Sequence, residues 1–268
     1  MSTATAAQVW TIDGKPVPHD VYHGSHQIIS NTAKEKFRES RKNYADLYVR
    51  KCKPFSEPTP ALLLGQWAHL AVWEPDEFAA LPIPTTAPLK KALADAAALR
   101  EALLANPCTR QIIEAVGECE HSVRWTDEET GLACKCRRDK VLEHYNGGPT
   151  VIVDLKTTNN AHPDDWFRDA ATFGYHRNAA WYQAGHHALT GEVPLYAFMV
   201  VDKKTHECAL YYLEDEDLDI GAQQNAQTLR DMKACFDSGD WRADHETKFT
   251  SRPLPEWARK QARQELMQ

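Results

Sequence analysis

The segment Thr150-Val-Ile-Val-Asp154-Leu-Lys156-Thr157-Thr158 constrains this chain more than any other, because an apolar strand pattern carries a carboxylate and an ammonium two positions apart. Side chains alternate across a strand, so Asp154 and Lys156 share one face while Val153 and Leu155 pack on the other. Opposite charges at the end of a hydrophobic strand are costly to bury unless they pair or hold a metal. The run predicts either a strand-end ion pair or one wall of a cation-dependent site.

The pattern on either side of it changes period. The first 30 residues, rich in turn formers (Asp13-Gly14, Pro16, Pro18, Gly24), read as an irregular lead-in. Residues 31–117 read as helical. Thr32 and Glu35 form a capping box, with Phe37, Tyr44 and Leu47 as the apolar stripe of one helix. Thr59 caps a second helix that starts with Pro60 and runs to Trp73, and helices over 88–105 and 107–116 follow. Residues 118–238 form the core of the prediction. Strands over 120–125, 132–142 and 150–156 make a meander; after helices over 163–171 and 175–189 come strands over 195–201 and 207–213, then a helix over 219–236. Residues 239–268 are a tail with a last helix over 255–266. The expected fold is α/β (α+β): one domain with a mixed central sheet flanked by helices and a helical amino-terminal third.

Composition narrows the class. At 268 residues with 43% hydrophobic and 26% charged content, the chain can bury a full core. Its seven cysteines are odd in number and contain no CxxC pair, which points away from a disulfide framework and toward a reducing, cytoplasmic setting. Neither a signal peptide nor a membrane span is predicted. A net charge of −7 argues against indiscriminate coating of nucleic acid, but the charge is segregated: residues 32–53 are locally basic, and Glu214-Asp215-Glu216-Asp217 with Asp219 is acidic.

The cation-dependent reading can be made concrete. Asp139 lies on the second meander strand, and hairpin pairing sets it beside the third. Two aspartates, a carbonyl such as that of Leu155 and solvent suit magnesium, which prefers oxygen ligands and keeps waters. Lys156 would then stand where charge builds up during phosphodiester hydrolysis. Gly65 and His69 lie one turn apart on an otherwise apolar helix, and the glycine leaves room for a neighbouring backbone or a metal to approach. Asn178 and Tyr182 share a face of a later helix. By contrast, His19, His23 and His26 read as structural, Cys134 and Cys136 as core packing, and His186-His187 as a helix end without chemistry.

Taken together, Gly65-x-x-x-His69, Glu120, Asp139 in Cys-Arg-Arg-Asp-Lys, Val-Asp154-Leu-Lys156-Thr-Thr and Tyr-His-x-Asn178-Ala-Ala-x-Tyr182 resemble the PD-(D/E)xK nucleases of the RecB-like branch. Within that superfamily the resemblance points to the RecE-type (exonuclease VIII-like) phage recombination exonucleases, akin in function to lambda and alkaline exonucleases. Asp20-x-Tyr22-His23, Ile29-Ser30 and Leu254-Pro-Glu-Trp257 also look like that group, so the resemblance spans roughly residues 20 to 260. It departs at Asp154, where many relatives have glutamate, and at Asn178, where glutamine is usual.

The resemblance implies a restriction-endonuclease-like core in which Asp139, Asp154, the Leu155 carbonyl and His69 bind Mg²⁺, with Mn²⁺ as substitute. Lys156 would be catalytic and Glu120 would complete the site. Asn178, Tyr182 and Ser30 would contact DNA, as would Arg38, Arg41, Lys42 and Lys34 of the basic segment. The implied activity is 5′-to-3′ hydrolysis of one strand at double-stranded DNA ends, releasing 5′-phosphomonoesters and leaving 3′ tails. Implied partners are further copies in a homo-oligomeric ring, a trimer ahead of a tetramer, and a single-strand annealing protein. An endonuclease on the same fold and a non-catalytic DNA-binding protein are the rival readings.

Overall fold

Strand-forming residues at alternate positions build a seven-stranded sheet from Gln8–Val9 (β1), Ile29–Ser30 (β2), Glu118–Thr126 (β3), Ala133–Leu142 (β4), Val151–Thr158 (β5), Leu195–Asp202 (β6) and Cys208–Tyr212 (β7). The order is β1-β3-β4-β5-β6-β7, with β2 laid on β4. The computed structural model describes residues 7–13, 15–247, 249 and 251–267; the amino-terminal stretch Met1–Ala6 and Gly14 of the expected turn lie outside them.

The three-strand meander is present: β3 pairs antiparallel with β4, and β4 with β5. Two helices then return the chain so that β6 runs parallel to β5, and a hairpin adds β7. The position of the site follows from one edge of β4. Toward its end that edge pairs with β5 only from Lys140 to Leu142, whereas near its start it holds β2 in parallel at Cys134 and Lys135. Between these two partners the sheet forks.

Helices cover both faces. His19–Gly24 (α1) and Asn31–Glu39 (α2) precede Pro60–Trp73 (α3), Ala87–Ala105 (α4) and Pro107–Glu114 (α5). Pro163–Phe173 (α6), Tyr175–Thr190 (α7), Asp215–Ser238 (α8) and the exposed Glu256–Glu265 (α9) follow. Among the described residues no helix is long and apolar enough to cross a membrane. Leu64, Ala68 and Val72 of α3, with Leu99 and Leu103 of α4, bury Val153, Leu155 and Met199 on one face. On the other, Trp166 and Ala170 of α6 and Ala179 of α7 cover Ile152, Phe198 and Val200. Each Val, Leu, Ile, Phe or Met side chain among these contributes about 1.5–3 kcal/mol by leaving water. Cys134 and Cys136 pack with Trp125 and Trp181, as core residues should.

Local chemistry explains most boundaries. Thr59 Oγ1 accepts the Leu62 N–H at 3.2 Å and Pro60 opens α3, as predicted. Gly174, at φ +70°, separates α6 from α7.

Four expectations need correction. The lead-in is not irregular throughout, since it supplies β1, β2, α1 and a small hairpin of Thr11–Ile12 with Lys15–Pro16. The helix that follows is capped by Ser30, whose Oγ accepts the Ala33 N–H at 3.2 Å, and not from Thr32, because pairing of β2 with β4 fixes the chain's exit at Ser30. The helix also ends at Ser40, which caps a four-residue helix Arg41–Tyr44 that runs into a π-helical turn, Ala45–Val49. Phe37, Tyr44 and Leu47 are nevertheless all buried. Finally, α8 begins four residues before its predicted start. Asp215, Glu216 and Asp217 occupy its first turn, where the helix dipole favours negative charge.

One glycine marks a close helix contact. A Cβ at Gly221 of α8 would lie 2.4 Å from the His176 carbonyl oxygen of α7, and backbone cannot move aside as a side chain can. Gly221→Ala gains up to ~1 kcal/mol of helix propensity but suffers overpacking of about 1–3 kcal/mol. The variant is expected to lose about 2 kcal/mol in urea unfolding; a gain in stability would show that α7 and α8 are not so closely packed.

Candidate metal centre

The fork in the sheet determines what the acidic residues can do. One step past the Lys140–Val153 pair the β4–β5 ladder stops, and the Leu155 N–H donates instead to Asp139 Oδ2 at 2.9 Å. Asp139 is thereby fixed at the crotch, 8% exposed, on the same face of β4 as Arg137. Beside it on β5, Asp154 is 4% exposed and pairs with the Lys156 ammonium, as the alternation requires.

Two further groups arrive from other elements. His69 of α3 places Nδ1 at 3.0 Å from Asp139 Oδ2 and keeps 29% side-chain exposure. One turn earlier, a Cβ at Gly65 would meet Thr157 Oγ1 at 3.9 Å, an ordinary contact, so backbone approach does not demand the glycine. Glu120 interrupts β3 with φ +49°, a left-handed conformation that costs a non-glycine residue about 1–3 kcal/mol. It stands between the Cys119–Lys140 and His121–Arg138 pairs, alongside Asp139. Strands β3, β4 and β5 thus each deliver one carboxylate to the same region.

Among the described residues, His69, Glu120 and Asp139 are the one set of three such groups whose ligand atoms all lie within 4.8 Å of one another. Asp154, expected as the second ligand, is not in that set. Its carboxylate is turned to Lys156, yet its buried Oδ2 has no well-formed hydrogen bond. An imidazole, two carboxylates and an under-satisfied third fit a divalent cation with oxygen preference.

The electrostatics agree with that fit. Burial alone would strip His69 of its proton, but the neighbouring Asp139 carboxylate reverses the effect and pushes its pKa up to about 9. Burial, and then the charge of Asp139, push Glu120 up to about 8. Asp139 stays below the ordinary carboxylate value because His69 and Lys156 outweigh its burial. Burial raises Asp154 against the pull of Lys156, and Asp139 adds to the rise. Lys156 is half-buried, and Asp154 and Asp139 keep it protonated against the cost of that desolvation. His69 and Glu120 thus hold protons near neutral pH that a cation taking them as ligands would release.

All but Asp154 of these five side chains line a cleft of about 940 Å³. Ser30 and Tyr182 line it as well. Asn178 accepts a hydrogen bond from Asn31 Nδ2 at 2.9 Å, and Asn31 is a wall of the cleft. The basic segment is placed otherwise. Lys34, expected among the DNA contacts, is fully buried, bonded to Asn225 Oδ1 and 3.2 Å from Glu35. Arg38 donates to Thr228 Oγ1 at 2.9 Å and Arg41 pairs with Asp231 at 3.1 Å, bracing their segment against α8. Lys42 is exposed, and all three lie outside the cleft lining.

Several cleft residues were not singled out from sequence. Arg137 donates to Ser122 Oγ at 3.0 Å and lies 4.0 Å from Glu120; its alternation with Asp139 was the available signal. His19 and His23, read as structural, sit one turn apart on α1 with ring centres 4.1 Å apart and line the cleft. Tyr175 places its ring centre 5.3 Å from Lys156 Nζ.

Comparison with known proteins follows the geometry. The crystal structure described as "Putative exonuclease" from Eubacterium rectale superposes with a TM-score of 0.62 at 14% identity, covering 90% of this chain and 97% of that one. A second, described as SSO0001, reaches a TM-score of only 0.29 at 13% identity, over 73% of this chain and 84% of its own, and carries no argument. No curated protein matches. The family model described as "PDDEXK-like domain of unknown function (DUF3799)" matches residues 30–246, and the chain belongs to that PDDEXK-like family.

Proposed function

We propose that the chain is a Mg²⁺-dependent exodeoxyribonuclease that digests one strand of linear duplex DNA 5′ to 3′, leaving 3′ tails for strand-annealing recombination. The observation that carries this reading is the convergence of His69, Glu120 and Asp139 beside the Asp154–Lys156 pair at the forked edge of the sheet. The Eubacterium rectale protein, described as a "Putative exonuclease", shares the fold and supports it.

Asp139, His69, Asp154 and the Leu155 carbonyl would hold the cation, with Glu120 completing the set. Once bound, Mg²⁺ supplies Lewis-acid polarisation of the phosphate and lowers the pKa of water. The protein's own groups do the positioning. Lys156, protonated and half-buried, would be a fixed positive charge facing phosphate oxygens as they gain negative charge. Tyr175 walls off its ammonium from solvent on one side, which strengthens that field. Asp139 stays put because the Leu155 amide tethers it, so the ligand geometry is preorganised at no cost during reaction. The Asn31–Asn178 bridge and Tyr182 would orient the strand, and Lys42, with Arg38 and Arg41 if released from α8, would make outlying phosphate contacts. Closure of three or four copies into a ring, the trimer ahead of the tetramer, would confine the duplex, and an annealing protein would receive the tail.

The test is digestion of linear and closed circular duplex with magnesium, followed strand by strand. Linear DNA should be consumed from its 5′-phosphorylated ends and circles should survive. Cut circles would identify an endonuclease, loss from 3′ ends would reverse the polarity, and binding without hydrolysis would leave a non-catalytic DNA-binding protein.

A further inference from the structure

A second cavity of about 320 Å³ opens beside the cleft and shares His23, Ser30 and Thr32 with it. A strand lying in the cleft therefore has an opening at its flank. The pocket's other side is aromatic. His26, Tyr48 and Phe55 meet edge to face, with ring centres 5.4 Å apart for His26–Tyr48, 5.1 Å for His26–Phe55 and 5.1 Å for Tyr48–Phe55. Tyr44 stacks on Tyr48 at 4.9 Å and holds it from behind. Phe55 is 47% exposed, so the group is not simply an extension of the core.

Lys135 adds a polar group to the pocket wall. It is 2% exposed, and its ammonium donates to the carbonyls of Tyr22 and Ser25. A lysine carries three N–H donors; with two on these carbonyls, the third lies between the face of the Tyr22 ring, 4.5 Å from the nitrogen, and any acceptor that enters the pocket. The lining suits a flat ring with a polar edge. It suits phosphate poorly, because Lys135 is the one lysine or arginine of the lining and is already shared between two carbonyls.

We propose that this pocket is a nucleobase subsite, in which a base of the strand held in the cleft is turned out and packed against Tyr48 and Phe55, with Lys135 serving an acceptor on its edge. The inference rests on the nuclease reading and adds to it a second anchor point. Stacking platforms of this kind tolerate any base, which suits an enzyme that must digest whatever sequence it meets.

The full chain in EDTA, so that no strand is cut, is mixed with a 5′-phosphorylated duplex carrying 2-aminopurine at successive positions from the end. Fluorescence should be quenched at one position, recover with Phe55→Ala and stay quenched with Phe55→Trp. An abasic residue at that position should weaken binding about tenfold in the wild type and have little effect on Phe55→Ala. Bound DNA with no quenched position, or quenching that survives both Phe55→Ala and Tyr48→Ala, overturns the subsite and leaves the nuclease reading standing. Absence of any DNA binding by anisotropy, both in EDTA and with Asp139→Asn or wild type in Ca²⁺, overturns both. Circular dichroism of the variants excludes misfolding as the cause.

Discussion

Asp139→Asn is expected to reduce magnesium-dependent DNA digestion on the order of a thousandfold or more while leaving the fold intact. Asparagine has the same shape, and its carbonyl oxygen can still accept the Leu155 N–H that fixes this position at the fork. What it loses is the negative charge that His69 and Lys156 share and that a divalent cation requires. The measurement is the digestion rate of labelled linear duplex, alongside a thermal melt with and without Mg²⁺. The variant should melt near the wild type without metal and gain nothing from adding it. Wild-type digestion by Asp139→Asn sinks the site assignment. Lys156→Ala is a less clean probe, because it strands the buried Asp154 carboxylate without its counter-charge and adds a stability loss of about 3–5 kcal/mol to any catalytic effect.

Metal affinity should climb steeply between pH 7 and 9. His69, raised to about 9, and Glu120, raised to about 8, are both protonated at pH 7 in the metal-free protein. A cation that takes both as ligands expels close to two protons, so each pH unit below 8 is worth up to about a hundredfold in affinity. Stability moves the opposite way without metal. The His69 contribution is complete below its unfolded value of 6.5 and is lost as pH rises through about 9. Protonated Glu120 likewise favours the fold below 4.5, and that contribution is gone above about 8. The metal-free protein should therefore weaken toward alkaline pH, and the Mg²⁺-induced rise in melting temperature should be larger at pH 9 than at pH 6.5. Calorimetry in buffers of different ionisation enthalpy counts the released protons. Affinity that stays flat over this range, with no proton release, excludes His69 and Glu120 as ligands.

The chemistry of β5 was legible in the sequence because it depends on a period of two. Asp154 and Lys156 had to share a face whatever the rest of the fold did, and Val153 and Leu155 had to be buried. Thr59-Pro60 likewise marked a helix start through local hydrogen bonding alone. What failed depended on distant partners. Lys34 looked solvent-facing by charge pattern, but its acceptor, Asn225, arrives from α8. Ser30 displaced Thr32 as helix cap because β4, far along the chain, pins Ile29 and Ser30 in a strand. Glu120 was named as an acid before a hairpin, but its left-handed backbone, which no local propensity favours, could not be read from residue type. Asp154 pairs with Lys156, and it is Glu120 that joins Asp139 and His69, a grouping that depends on the bend in β3 and not on the period of β5.

The fork in β4 also sets a timetable. Ile29 and Ser30 can dock only against Cys134 and Lys135, more than a hundred residues further along, and Asp139 meets its tether only when Leu155 has been made. On the ribosome, Ile29 and Ser30 must wait without their β4 partners until Cys134 and Lys135 have been made. On the proposed nuclease reading, the nascent chain cannot act on nucleic acid until Asp139 and Leu155 have both emerged to form the cleft.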